Sequence, residues 1–170
     1  MNENKTLVVY YSRTGNTRKV AEAIGAGLGA DAEEIIDTKN RRGPIGSVCA
    51  GKDAVLKRPT AIEEPRKAPA SYSLVVVGTP VWAGTMCSAI RTYLARQKDR
   101  LPKVAFFLTT MRSGAERTFA QMTELAGRTP VATLEVRAGD VKAGRYAEAV
   151  ESFVKRLRDE GHGENGPAEV

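Results

Sequence analysis

Apolar residues in this chain come in short, nearly unbroken runs, separated by stretches with a helical period. Leu7, Val8, Val9, Tyr10 and Tyr11 make the first run, the pattern of a strand covered on both faces of a parallel sheet. Val20, Ala21, Ile24 and Leu28 then recur at helical spacing, and Gly27 and Gly29 end that helix. Ala32 to Ile36 reads as a short second strand. Residues 39–69 are the least regular part, punctuated by Gly43-Pro44, Pro59, Pro65 and Pro69, with one short helix expected near Val48 to Leu56. Leu74 to Gly78 is the third strand, followed by a helix with Ile90, Tyr93 and Leu94 on one face. Val104 to Leu108 is another buried strand, and the helix after it turns Ala115, Phe119, Met122 and Ala126 inward. Ala132 to Val136 is the last strand. Tyr146, Val150, Phe153, Val154 and Leu157 give the final helix the clearest period of all. Residues 161–170, GHGENGPAEV, read as a disordered polar tail after one domain spanning residues 1–160, and the lone His162 falls in that tail.

Strands alternating with helices along the whole chain predict an α/β fold, a doubly wound five-stranded parallel sheet with strand order 2-1-3-4-5. In that order the first, third and fourth strands are neighbours, and the loops leaving their carboxyl ends meet at the switch point, where such sheets bind ligands. The first loop is Ser12-Arg13-Thr14-Gly15-Asn16-Thr17. It presents backbone N–H groups, hydroxyls and the positive end of a helix dipole to one place, which suits a phosphate. The alternative is a plain helix cap, since Ser, Thr and Asn cap helices whatever the function. The spacing excludes a Walker A loop, and a single glycine excludes the dinucleotide fingerprint. The second loop, Thr79-Pro80-Val81-Trp82-Ala83-Gly84, carries the chain's only tryptophan on a segment flanked by Pro and Gly. There, stacking on a flat ring is the better expectation than core packing. The third loop is Thr109-Thr110-Met111-Arg112-Ser113-Gly114.

Bulk properties narrow the field. A chain of 170 residues, 42% hydrophobic, buries a core without disulfides. Cys49 and Cys87 form no C-x-x-C pair or metal-ligand cluster, and Cys87 reads as a small buried residue at a helix start. The amino-terminal residues enter a strand with no leader-type apolar region, and no run is long enough to span a membrane. A cytoplasmic location with reduced thiols and no membrane insertion is expected. The formal charge is +6, and residues 39–67 carry eight basic side chains against three acidic ones. That segment is either a docking face for an acidic partner or anionic substrate, or a solvated surface. Lacking interleaved aromatics, it does not point to nucleic acid.

The three loops together resemble those of the flavodoxin family. Residues 12–17 match its phosphate loop, S/T-x-T-G-x-T. Residues 78–84 resemble its second loop, where an aromatic lies against the flavin, and residues 109–114 occupy the place of its third. The likeness runs from about Lys5 to Glu160. It implies a non-covalent FMN held by Ser12, Arg13, Thr14, Gly15, Asn16 and Thr17 at the phosphate. Thr79, Pro80, Val81, Trp82, Ala83 and Gly84 would lie on one side of the ring, with Thr110, Met111, Arg112, Ser113 and Gly114 on the other. No catalytic side chain and no metal are implied. Met111 would pack its thioether on the ring in place of a second aromatic. Arg112 would either stabilise a negatively charged reduced ring or face water. Tyr10 and Tyr11 are expected to serve strand packing. The low-molecular-weight phosphatases share the topology but require a C-x₅-R first loop, which is absent here.

Three readings follow from the resemblance. The first is an FMN-binding electron-transfer flavoprotein working with a redox partner protein. The second is an FMN-dependent oxidoreductase, a small NAD(P)H-linked quinone or flavin reductase. The third is a flavodoxin-like binding module without flavin. The flavodoxins it resembles are acidic, whereas this chain has a sequence pI near 9.5, so their usual docking polarity is reversed or absent here.

Overall fold

A strand covered on both faces must be apolar at successive positions. The first strand, β1 (Thr6–Tyr10), meets that condition with Leu7, Val8, Val9 and Tyr10 all buried. The computed structural model describes residues 5–38 and 60–162. β1 lies between β2 (Asp31–Glu34) and β3 (Leu74–Trp82), both parallel to it. β5 (Lys103–Thr110) pairs with the other side of β3, and β6 (Thr133–Arg137) closes the sheet. The order β2-β1-β3-β5-β6 is the expected 2-1-3-4-5, once β4 (Thr85–Met86) is left out of the count. That two-residue strand turns back antiparallel on the end of β3.

The pleat divides the core in two. Leu7, Val9, Val75, Val77, Phe106 and Leu108 point to α2 (Ser88–Gln97) and α3 (Ala115–Ala126), meeting Ile90, Tyr93, Leu94 and Met122. Val8, Val76, Ala105 and Phe107 point the other way. They meet Val20 and Ile24 of α1 (Asn16–Leu28) and Phe153 and Val154 of α5 (Ala147–His162). These apolar side chains, removed from water on both faces, supply the main drive to fold.

Several boundaries differ from the sequence expectation, each for a physical reason. β2 begins and ends earlier than residues 32–36. It is an edge strand with the sequence DAEE, half-exposed, so its apolar content was no guide to its limits. Ile35 is buried just beyond it, while Ile36 is 43% exposed. β3 and β5 run past their apolar cores to Trp82 and Thr110. A short helix, α4 (Ala138–Lys142), joins β6 to α5 and is too brief to show a period. The last helix continues through Gly161 and His162, which were expected in the tail, and His162 Nδ1 lies 2.7 Å from the Arg158 carbonyl oxygen. The rest of the tail, the helix expected near residues 48–56, Cys49 and most of the basic segment lie outside the described residues. Among the described residues, no helix is long and apolar enough to cross a membrane, and no cluster of His, Cys, Asp and Glu could hold a metal ion.

Gly78 on β3 faces Phe107 on β5 across the parallel ladder. A Cβ there would lie 1.9 Å from the Phe107 ring, so the absence of a side chain is what admits this buried aromatic. Gly78→Ala is expected to cost about 2–3 kcal/mol by overpacking. The check is urea unfolding, with a lowered midpoint at unchanged slope.

Candidate functional site

The loop between β1 and α1 turns on Gly15, whose φ of 95° is left-handed backbone that other residues adopt only under strain. Gly15 is the N-cap of α1, and no side chain of the usual capping kind occupies that position. Ser12 reaches in from outside instead, its Oγ accepting from the N–H of Gly15 at 3.1 Å and of Arg18 at 3.2 Å. These two bonds are the helix-cap reading of Ser12. Lys19 N–H bonds back to the Gly15 carbonyl. Among the described residues, the amides of Asn16 and Thr17 meet no acceptor, and the side chains of exposed Thr14 and half-buried Asn16 make no hydrogen bond. Two first-turn amides at the positive end of a thirteen-residue helix are an anion-binding arrangement.

Thr17 is used differently from the expectation. It is buried, and its Oγ1 lies 2.7 Å from Thr109 Oγ1 at the end of β5. That hydrogen bond ties the first loop to the third. Thr109 was not among the expected site residues, although its parity shows it: Ala105, Phe107 and Thr109 share the face on which α1 packs. Thr110 points to the opposite face and donates to Glu135 Oε1 of β6 at 2.7 Å.

The second loop is shorter than the sequence suggests. Thr79 to Trp82 still belong to β3, and Trp82 pairs with Thr85 across a two-residue hairpin. Trp82 is therefore a strand-end residue, not a loop residue. Ala83 and Gly84 have φ of 50° and 74°, both positive as a type I′ turn requires. Ala83 holds this conformation at a cost of about 1 kcal/mol or more. Thr79 is fully buried; its hydroxyl accepts from the Cys87 N–H at 3.1 Å and lies 3.2 Å from the Cys87 thiol. It orients the start of α2 and does not face the loops' common surface.

Contacts between loops bring the rest together. The Tyr11 and Trp82 rings are 5.5 Å apart at 89°, so Tyr11 supports the indole besides closing the strand. The Arg13 guanidinium lies over the Trp82 ring, 5.6 Å from its centroid. Gly114, the N-cap of α3, approaches Gly84 so closely that a Cβ on it would lie 2.7 Å from the Gly84 Cα. Arg112 and Ser113 are exposed, and Met111 is 83% exposed. The arrangement gathers free amides, a half-buried indole and two arginines on the carboxyl edge of the sheet. Arg18 is held to Glu34 by two contacts of 2.8 Å.

Two cavities lie away from this edge. One, of about 250 Å³, sits at the opposite end of the sheet between Thr6, Leu74, Lys103 and the end of α5. The other, of about 460 Å³, runs along β2 beside residues 63–67. Neither joins free amides to an aromatic face, so the carboxyl edge is the better site despite its shallowness.

No family model matches the chain. Solved structures do. A flavoprotein from Lactobacillus acidophilus NCFM, in complex with FMN, superposes with a TM-score of 0.68 at 24% identity, covering 85% of this chain and 99% of that one. The apo-form of the flavoprotein from the same organism gives 0.62 at 25% identity, covering 79% and 91%. Oxidised Flavodoxin 2 from Bacillus cereus gives 0.57 at 16% identity, covering 92% and 99%. The fold is flavodoxin-like.

Burial pushes the Cys87 thiol up to about 11, with the Thr79 hydroxyl bond opposing the shift. In a Cys49→Ser variant, the folded protein is expected to resist thiol labelling at pH 8 and to label once unfolded. Because the folded value lies above the ordinary 9.0, this thiol's contribution is intact below pH 9 and declines as pH rises toward 11. A stability–pH curve from urea melts checks the sign.

Proposed function

We propose that the protein is an FMN-binding redox protein of the flavodoxin kind, exchanging electrons with a partner through a non-covalently held flavin. The observation that carries this reading is the closure of three distant loops on one edge, through Thr17–Thr109, Tyr11–Trp82 and Gly84–Gly114. The residues present fit FMN. Unclaimed amides of Asn16 and Thr17 suit a dianionic phosphate, with Thr14 and Asn16 side chains beside them and Arg13 adding positive charge. The half-buried Trp82 offers an aromatic face braced by Tyr11. The Lactobacillus flavoprotein that superposes on this chain was solved in complex with FMN, which supports the same ligand here.

Bound FMN supplies reversible electron transfer at its ring. The chain's own residues bind and orient. The α1 amides would hold one end, and Trp82 with the Ala83-Gly84 turn would meet the other. Gly114, close against Gly84, holds the third loop beside the second, where it would lie on the ring's other side, and exposed Arg112 would add positive charge there. A positive rim favours an acidic partner protein or an anionic cosubstrate. Exposed Met111 and Arg112, with a net charge of +6, also suit the second reading, a small NAD(P)H-linked quinone or flavin reductase.

The visible spectrum of the purified protein during stepwise reduction tests the reading: a flavin spectrum that bleaches reversibly is expected, and a colourless protein that takes up no added FMN rejects it. Rapid NAD(P)H oxidation with a quinone acceptor and no added reductase would select the reductase. By fluorescence titration, Trp82→Ala is expected to weaken FMN binding roughly tenfold through lost stacking, and Thr14→Ala a few-fold through one lost hydrogen bond.

A further inference from the structure

Two threonine hydroxyls hold the first and third loops together, Thr17 Oγ1 and Thr109 Oγ1 at 2.7 Å, with either able to donate. Thr17 is 2% exposed and Thr109 5%. Each hydroxyl carries one proton, and the bond between them uses only one of the two. Among the described residues neither hydroxyl makes a further hydrogen bond. One buried O–H is therefore left without an acceptor, which is unfavourable away from water. Thr17 is also a residue whose backbone amide stands free in the first turn of α1. Its Cα–Cβ bond, like every one in a helix, tilts toward the helix N-terminus, the side from which an anion approaches those amides. Thr109 is held on β5 between Pro80 and Val136 of the neighbouring strands, and β-branching restricts its side chain.

We infer that Thr109 is a positioning residue for an anion in the first loop, acting through Thr17. Thr109 donates to Thr17 Oγ1, and Thr17 turns its own proton to the anion beside the Asn16 and Thr17 amides. The inference rests on the reading of residues 12–17 as a phosphate loop. The opposite direction of the bond would leave the spare proton on β5 and turn the lone pairs of Thr17 toward the anion, which repels them. An anion therefore selects one direction, and that direction satisfies both protons. A chain of donors ending on a charged acceptor is strengthened at each link. The gain goes to a phosphorylated ligand and not to the same ring without phosphate. Thr109, at the root of the third loop, thus sets a preference expressed at the first.

Thr109→Val keeps the shape and removes the hydroxyl, whereas Thr109→Ser keeps the hydroxyl. FMN and riboflavin affinities are measured by calorimetry on flavin-free protein for the wild type, both variants, Thr17→Val, and the double variant of Thr17→Val with Thr109→Val. Inorganic phosphate is titrated against chloride at equal ionic strength and followed by NMR at the Asn16 and Thr17 amides. Thr109→Val is expected to weaken FMN and phosphate binding about fivefold, with riboflavin held within about twofold, and Thr109→Ser to restore both. Thr17→Val should lose at least as much, and the double variant no more than Thr17→Val alone, because Thr109 acts only through Thr17. Equal losses of FMN and riboflavin, losses that add in the double variant, or a Thr109→Ser no better than the valine variant would overturn the inference. FMN bound equally by the wild type and Thr109→Val overturns it and leaves the flavin reading intact. Phosphate binding that depends on Thr109, in a protein that takes up no FMN, upholds the inference and rejects the flavin reading.

Discussion

Parallel pairing of β1, β3 and β5 is the constraint on which everything else depends. Because the three strands run the same way in register, Leu7 beside Val75 and Val75 beside Val104, their carboxyl ends reach one edge together. The pairing is held by apolar side chains alternating to two cores, one under α2 and α3 and one under α1 and α5. Loops separated by about seventy and by about thirty residues in sequence are thereby delivered to a common place. Smaller contacts then finish the edge: two threonine hydroxyls, two aromatic rings at right angles, and two glycines in backbone contact. Each of these is weak alone, and none could form if the strands were not already aligned.

The central strands were legible because burial on both faces leaves no polar position to interrupt the run. The edge was not. β2, exposed on one side, reads DAEE and carries no such signature. The hairpin after β3 was hidden because its first turn residue is Ala83, held at a positive φ that the sequence would sooner assign to glycine or asparagine. The first loop joins β1 to α1 as expected, since a turn between a buried strand and a helix start has few alternatives. Its chemistry was less visible. Thr17, expected at the phosphate, clasps Thr109 with its hydroxyl, and Thr79, expected at the ring, accepts from the Cys87 amide. In both cases a hydroxyl serves the neighbouring chain, which sequence spacing alone does not reveal. Tyr11 read as packing because it ends an apolar run; its second role against Trp82 depends on how the hairpin bends over it.

Charge gives the protein its individuality within a common fold. Arg13 and Arg112 stand on the loops of the carboxyl edge, and Arg18 pairs with Glu34.

The most direct measurement of the account is an amide-resolved NMR titration of the flavin-free protein with FMN. The account predicts one binding event that perturbs the amides of Asn16 and Thr17, of Trp82 to Gly84, and of Ser113 and Gly114 in concert, with the same affinity at all three loops. Perturbation confined to one loop, or centred on the cavity at the far end of the sheet, would contradict it.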